Sequence, residues 1–375
     1  MNAEPWGGSE VLWSEAALRL TGSGHSVFAS VESWPDRPKP VQHMIDVGIE
    51  VDEREWVYAT RFESRCARLL RRPVKHPGIE PSWQSILEFK PELVCISHGS
   101  CTDGIDWMER CRVAEISYVS IAQANFEQWW PSGQGGKLAS RVYSNTLRAY
   151  FVSEANRNLF ERQLGQRIPN AEVVWNPYNV SYNCESEWLE NDDDFKFACV
   201  GRLDPRAKGQ DLIMGVLALP KWRERRISVT FYGRGSYEPE LRRLAEMDGV
   251  TDKVSFAGHV EDIQEVWLKH HALLLPSRYE GLPLALVEAM LCGRPCIVTD
   301  VAGNAEVLED NITGFVAEAP TIRHLDDAME RAWNRRHEWQ TIGAAAAKAI
   351  RSKVPEEPAQ DFADKLIKLV SNIIH

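Results

Sequence analysis

Mostly apolar runs of strand length recur along this chain, separated by stretches whose apolar residues return every three or four positions. In the first half the clearest runs are Val27 to Val31, Leu93 to Ser97 and Tyr118 to Ala122. In the second half they are Phe195 to Val200, Ser228 to Tyr232, Lys253 to Phe256, Ala272 to Leu275, Cys296 to Thr299 and Gly314 to Ala317. A run that is apolar on both faces fits the middle of a parallel sheet, and the intervening helices are the crossovers that parallel pairing requires. The pattern predicts an α/β protein of doubly wound, Rossmann-like parallel sheets. Between Asn176-Pro177 and Asp194 the periodicity fails among Asn, Pro, Ser, Glu and an Asp triplet, which predicts a domain join. The domains then span residues 1–178 and 179–350. A tail over 351–375 carries Pro355 and Pro358 and ends in an amphipathic helix from about Ala359 to Ile374. The Gly343 to Ala347 run reads as helix surface.

One predicted helix is not amphipathic. Pro283 suits its first position, where a missing N–H costs nothing, and Gly293 suits its exit, so it covers roughly Pro283 to Cys292. Leu284, Ala285, Leu286, Val287, Ala289, Met290 and Leu291 leave it no polar side, which predicts a helix enclosed within a domain. Glu288 is the exception. A buried carboxylate needs hydrogen-bond donors, and sugar hydroxyls, a neighbouring backbone or a core arginine would each satisfy it. Glu280 precedes the helix beside the free amides of Gly281 and Leu282, where the helix dipole favours an anion. A purely structural account has Glu288 paired with arginine and Glu280 capping the helix; a functional one has both lining a site.

A second cluster follows the run Phe195 to Val200: Gly-Arg-Leu-Asp-Pro-Arg-Ala-Lys-Gly, from Gly201 to Gly209. In an open parallel sheet ligands bind in the crevice at the C-terminal strand ends, and this loop sits there. Arg202 and Lys208 supply two positive charges, while Gly201 and Gly209 let the backbone come close. Two cations facing a helix N-terminus suit a diphosphate.

Together these segments resemble the retaining glycosyltransferases of GT-B fold known as glycosyl transferases group one. The Glu280-x7-Glu288 motif and the Gly201-Arg202 to Lys208-Gly209 loop match its donor-site hallmarks. Further matches are Gly233-Arg-Gly235, Phe256-Ala-Gly258, Pro276-Ser-Arg-Tyr-Glu280, Thr313-Gly-Phe315, and, near the start, Gly7-Gly8-Ser9-Glu10 with Gly24-His25-Ser26-Val27. The resemblance implies two Rossmann-like domains facing a cleft, an acceptor-side first domain and a nucleotide-sugar second domain, with the last helix crossing back onto the first. It implies transfer of a sugar from a UDP-, GDP- or ADP-sugar to an acceptor hydroxyl with retention, and no further cofactor. By resemblance Glu288 binds ribose hydroxyls, Glu280 lies near the transferred sugar, the backbone from Gly258 to Val260 holds the base, Gly233 belongs to the donor site, and Gly7 and Gly8 close on the diphosphate or acceptor. Metal is not implied, because Arg202 and Lys208 occupy that role and no Asp-x-Asp motif sits in a suitable loop. The acceptor is expected to be a carbohydrate or lipid-linked sugar of cell-surface polysaccharide or glycolipid synthesis. Two competing readings are a sugar-nucleotide epimerase of the same fold and an inactive relative that only binds nucleotide sugar.

Two departures from the family stand out. Relatives open with a buried strand leading into the glycine loop, yet only Met1 to Trp6, including Pro5, precede Gly7. The first strand is expected to be missing, through a late start or replacement by another segment. Many relatives also carry a histidine where Ile116 to Gln123 ends in Gln123, which cannot take up a proton but can hydrogen-bond the transferred sugar. His98, ending the run from Leu93, points to the same cleft; a strand-terminal histidine bonded to a loop carbonyl accounts for it equally well.

Composition adds bounds. With 375 residues, 44% hydrophobic and 26% charged, the chain can fill two ordinary cores. No apolar run reaches the ~18 residues of a membrane helix and no signal peptide opens the chain, so a cytoplasmic protein is expected. The eight cysteines include no Cys-x-x-Cys pair, and Cys95, Cys199 and Cys296 fall in predicted buried strands, which reads as reduced thiols. A net charge of -11 argues against a general nucleic-acid binder. Locally, Arg61, Arg65, Arg68 and Arg72 form a stripe beside Phe62, Cys66, Leu69 and Leu70, which suits an anionic membrane surface, a phosphorylated acceptor or a solvated helix face. The Trp129-Trp130-Pro131 loop could equally stack on a sugar ring or serve ordinary packing.

Overall fold

The structure, a computed structural model, describes residues 6–54, 79–184, 187–189 and 194–374. In the first domain β1 (Phe28–Glu32) pairs in parallel with β2 (Glu50–Arg54), and β3 (Val94–Ser100), β4 (Tyr118–Ala124), β5 (Arg148–Phe151) and β6 (Ala171–Val173) form a second parallel sheet in that order. Among the described residues no strand joins β1 to β3, so the sheet stands in two pieces. The second domain holds β7 (Phe195–Val200), β8 (Ile227–Tyr232), β9 (Val254–Gly258), β10 (Ala272–Leu275), β11 (Cys296–Thr299) and β12 (Phe315–Ala317), all parallel, in spatial order β12-β11-β10-β7-β8-β9. That is the doubly wound order, and its reversal falls between β7 and β10, where a crevice opens outside the strand ends.

Alternation along the strands explains the burial. Phe195, Phe197 and Cys199 of β7 enter one core with Ala272 and Leu274 of β10, while Ala198, Leu273 and Leu275 enter the core on the opposite face. The second core receives Leu286, Val287, Ala289, Met290 and Leu291, so the helix Leu284–Leu291 is enclosed as its composition predicts. Pro283 is its N-cap rather than its first residue, with extended backbone at ψ 126°, and Gly293 beyond the end has φ 68°. The helix Trp339–Arg351 lies against it, and here the surface reading of Gly343 to Ala347 is corrected. Ala346 and Ala347 are buried, and a Cβ on Gly343 would fall 1.9 Å from the Gly293 carbonyl oxygen. The small residues bring two helices close together; they are not a solvated face.

The last helix, Pro358–Ile374, packs on the first domain. Phe362, Ala363 and Leu366 join Leu12 and Ala16 of the helix Gly8–Gly22 with Val119, Ile121 and Tyr150. Tyr178 Oη donates to the carbonyls of Pro355 and Glu356, tying the inter-domain segment to the start of that tail. The basic stripe from Arg61 to Arg72 lies outside the described residues. No disulfide joins the seven cysteines of the described part.

Candidate functional site

Two loops build the crevice. The first leaves β7 at Gly201 and closes in one helical turn, Pro205–Lys208, capped by Asp204 through Arg206 N at 3.2 Å. That turn swings Lys208 back so that its Nζ lies 2.5 Å from Glu280 Oε1. Gly209, at φ 67°, ends the turn, and a Cβ there would lie 2.1 Å from the Pro276 carbonyl oxygen, so only glycine lets the two loops touch. The second loop leaves β10. Ser277 Oγ donates to Glu280 Oε1 at 2.7 Å, and the Ser277 carbonyl accepts from Thr299 Oγ1 at 2.5 Å. Glu280 is therefore fixed by a cation and a hydroxyl, and is buried. Behind it, the N–H groups of Gly281 and Leu282 donate no hydrogen bond among the described residues.

Arg202 is placed differently. Its nearest carboxylate oxygen, Asp204 Oδ2, is 3.7 Å away, and its Nε is buried without a partner. Asp204 is instead engaged by Arg206, from Nε at 3.0 Å and Nη2 at 3.2 Å. The Arg202 guanidinium keeps donors to spare, and Arg234, after β8, lines the same cleft without an ion pair among the described residues. Three cationic side chains thus border one crevice: Lys208 is tightly paired with Glu280, Arg202 reaches Asp204 only at 3.7 Å, and Arg234 has no ion pair among the described residues. The cationic groups that these side chains offer an anionic ligand are guanidinium and ammonium.

Glu288 is 3% exposed inside its apolar helix. Its Oε1 accepts from Asn179 N and from Asn179 Nδ2, both at 3.0 Å, and burial raises its pKa against those two bonds. The arginine pairing weighed from sequence is not what holds it. Arg294 instead donates to the carbonyls of Trp267 and Glu187. Glu288 Oε2 is left for the cleft, which the residue lines. On the crevice's flank, Gly233 N donates to the Gly258 carbonyl at 2.8 Å, and His259 and Val260 follow along the wall.

Opposite lies the first domain. Gly7 caps the helix Gly8–Gly22, its N–H donating to Glu10 Oε2 at 2.9 Å. A Cβ on Gly8 would be 3.3 Å from Leu284 Cδ1, so the glycine loop faces the start of the Glu288 helix. Gln123, the last residue but one of β4, is buried; Asn176 Nδ2 donates to its Oε1 at 2.8 Å, and its Nε2 has no partner. That leaves one oriented amide N–H₂ for a ligand oxygen. His98 is held through Nδ1 by the Ser100 carbonyl, with Nε2 3.5 Å from Tyr143 Oη, and burial lowers its pKa. The carbonyl it meets belongs to the last residue of β3 rather than to a loop, His98 itself lies inside that strand, and the ring also lines the cleft.

The domains touch directly at this point. A Cβ on Gly281 would sit 2.0 Å from the Gln123 carbonyl oxygen. Glu306 accepts from Glu154 N at 3.0 Å and from Ala155 N, one domain's carboxylate capping the other's helix Glu154–Leu164. The cleft is continuous with the gap between β1 and β3, bordered by Phe28, Phe89 and Phe362, and the two together measure about 2260 Å³.

Asn179, Asn176, Ser277 and Arg234 were not singled out from sequence. Arg234 carried a signal, between Gly233 and Gly235. Asn176 and Asn179 lay in a segment read only as a domain join, and nothing local marks a serine as the partner of Glu280.

The chain's likeness to known proteins agrees with this geometry. Residues 184–349 match the family model described as glycosyl transferases group 1. A GDP-mannose-dependent alpha-(1-6)-phosphatidylinositol monomannoside mannosyltransferase of Mycobacterium tuberculosis is 33% identical over 330 residues, covering 80% of this chain and 84% of that protein. The lipopolysaccharide glucosyltransferase WaaG of Escherichia coli is 24% identical over 348 residues, 88% of this chain and 86% of that one. Among solved structures, Anabaena Alr3699/HepE in complex with UDP superposes with a TM-score of 0.74 at 17% identity, covering 98% of each chain. No described helix is long and apolar enough to cross a membrane.

Proposed function

This chain belongs to the glycosyl transferases group 1 family, and we propose that it moves a sugar from a nucleoside diphosphate sugar to an acceptor hydroxyl, with retention at the anomeric carbon, in polysaccharide or glycolipid synthesis. The observation that carries this reading is the pairing of under-used cations with free amides in one crevice. Arg202, Lys208 and the N–H groups of Gly281 and Leu282 all border the space between β7 and β10. A relative of this chain is named for GDP-mannose and a structural neighbour was solved with UDP, which supports a nucleotide-sugar donor without choosing the base.

The chemistry follows from charge. As the bond between sugar and diphosphate breaks, the sugar becomes oxocarbenium-like and the leaving group gains negative charge. Preorganised donors aimed at that group lower the barrier without having to reorganise. Lys208 has three donors and uses one on Glu280, so it can hold a phosphate oxygen while Glu280 stays beside the sugar. Glu288, fixed by Asn179, offers its second oxygen to the ribose hydroxyls. Gln123 can donate to the sugar from the opposite wall but cannot accept a proton at neutral pH. A phosphate oxygen on the same face therefore takes the acceptor's proton, consistent with retention. The anionic leaving group is neutralised by side chains, without a call on a metal ion.

Release of nucleotide from UDP-, GDP- and ADP-sugars tests this. Arg202→Ala and Lys208→Ala should each reduce turnover by roughly 10²- to 10³-fold, the usual cost of losing one preorganised charge partner; Arg202→Ala should keep the melting temperature, whereas Lys208→Ala should lower it by leaving the buried Glu280 carboxylate without its cation. Full turnover in either variant would defeat the assignment.

A further inference from the structure

Beyond the donor crevice, the loop that follows β4 presents a surface that the donor chemistry does not use. Asn125 Nδ2 donates to Gln163 Oε1 at 2.9 Å, Gln163 Nε2 donates to the Phe126 carbonyl at 2.8 Å, and Trp129 N donates to the same carbonyl at 3.0 Å. The loop is braced at each of these points. From it Phe126 and Trp129 reach across to Tyr279 of the second domain. Ring centroids are 5.2 Å apart for Phe126 and Tyr279, 5.3 Å for Trp129 and Tyr279, and 5.8 Å for Phe126 and Trp129. Tyr279 adjoins Glu280, so this three-ring cluster spans the domains beside the candidate reaction centre. Trp130 follows, lining the cleft with 59% of its surface exposed. Gln123, 8% exposed, lines the same cleft near the end of β4 and has a buried, unbonded Nε2.

We propose that this loop is the acceptor's sugar-binding platform: Trp130 stacks on the apolar C–H face of a pyranose, and Gln123 Nε2 donates to an oxygen of a sugar in the cleft. The inference rests on the transferase reading and adds to it the acceptor class, a carbohydrate ring. An indole left open to water inside a concave cleft, on a braced loop, is a preformed flat apolar surface, and such a surface loses little entropy when a ring settles on it. The acceptor is the substrate it fits, because Arg202, Lys208, Glu280 and Glu288 all come from the second domain and already meet the donor's charges and hydroxyls. The nucleophilic hydroxyl must arrive from the other wall, and Trp130 stands on that wall. The Tyr279 contacts set the platform's position relative to Glu280.

The test uses the full chain with methyl α-D-mannopyranoside and methyl α-D-glucopyranoside as probes. In saturation-transfer NMR, irradiating aromatic protons should transfer saturation to the ring C–H groups of at least one probe; Trp130→Ala should abolish the transfer and Trp130→Phe should keep it. In the transfer assay, Trp130→Ala should raise KM for that sugar about tenfold, equivalent to about 1.4 kcal/mol, while KM for the nucleotide sugar moves far less. Trp130→Phe should recover most of the loss. No saturation transfer in the unaltered protein, or equal acceptor KM in Trp130→Ala, would overturn the platform. If the sugar stacks on Trp130 but no nucleotide sugar is turned over, the platform stands and the transferase reading falls.

Discussion

Gly281→Ala probes the step on which the mechanism depends, the meeting of the two domains at the reaction centre. A methyl group there would lie 2.0 Å from the Gln123 carbonyl oxygen and 2.6 Å from Val152 Cγ2, both across the cleft, where real contacts are not found below 3.0 Å. Relief requires a shift of 3.0 − 2.0 = 1.0 Å at the least. The obstacle is largely backbone, so no side-chain rotation can supply it. The donor site belongs to the second domain alone and should keep its shape, whereas Gln123 and the acceptor wall must retreat. A misplacement of about 1 Å between reacting groups can cost roughly 10²-fold in rate. The expected result is a kcat about a hundredfold lower, nucleotide affinity within a few fold by calorimetry, and a melting temperature little changed, since the domains can part without exposing either core. Unchanged kcat would refute the argument by showing that turnover does not need this closed contact. A comparable loss of nucleotide affinity would place the damage in the donor site instead.

Glu288→Ala should weaken nucleotide binding by about 10- to 100-fold, because a hydrogen bond to a charged group contributes roughly 1.5–3 kcal/mol. The role assigned to it predicts that 2′- and 3′-deoxynucleotides lose less from the substitution than the parent nucleotide; equal losses would disprove a ribose contact. His271, 2% exposed, has its pKa lowered to about 4 by burial, aided by the nearby Arg294 and Lys196 charges. A group with a depressed pKa binds its proton more weakly in the folded state, so its contribution is complete above about 6.5 and is lost as pH falls toward 4. The full effect is on the order of 3 kcal/mol. His271→Asn, which keeps an acceptor for the Lys196 N–H, should flatten the fall in denaturant midpoint between pH 7 and 4, and an unaltered slope would clear His271 of that role.

How much of this could be seen in the sequence depended on whether the signal was local. The helix Leu284–Leu291 announced itself because seven of its positions are apolar and the eighth is Glu288, a pattern with few physical explanations. β10 and β11 were visible for the same reason, being buried on both faces, while β8 and β9 showed themselves by alternation. β2, with the sequence Glu-Val-Asp-Glu-Arg, was not seen, because a charged, partly exposed strand has no apolar run to show. β5 and β6, of four and three residues, were too short to establish a period. The Gly343 to Ala347 run misled because small residues on a helix look alike whether they meet water or a second backbone, and only the approach of Gly293 decides between them.

The site divides along the same line. Arg202, Lys208, Glu280 and Glu288 are charges in apolar or glycine-rich settings, so their cost alone called for an explanation. Asn179 and Ser277 are ordinary polar residues whose importance arises only because folding brings them to those carboxylates, 109 and 3 positions away along the chain. Gln123 lies between the two cases. Sequence showed that it cannot act as a base, but only the structure shows Asn176 occupying its oxygen and leaving the buried N–H₂ group unbonded. That orientation changes its role from a lost base to a fixed donor. The proposed transfer, in which a phosphate oxygen takes the acceptor's proton, asks for no base at this position, so the absence of a histidine there does not by itself imply inactivity.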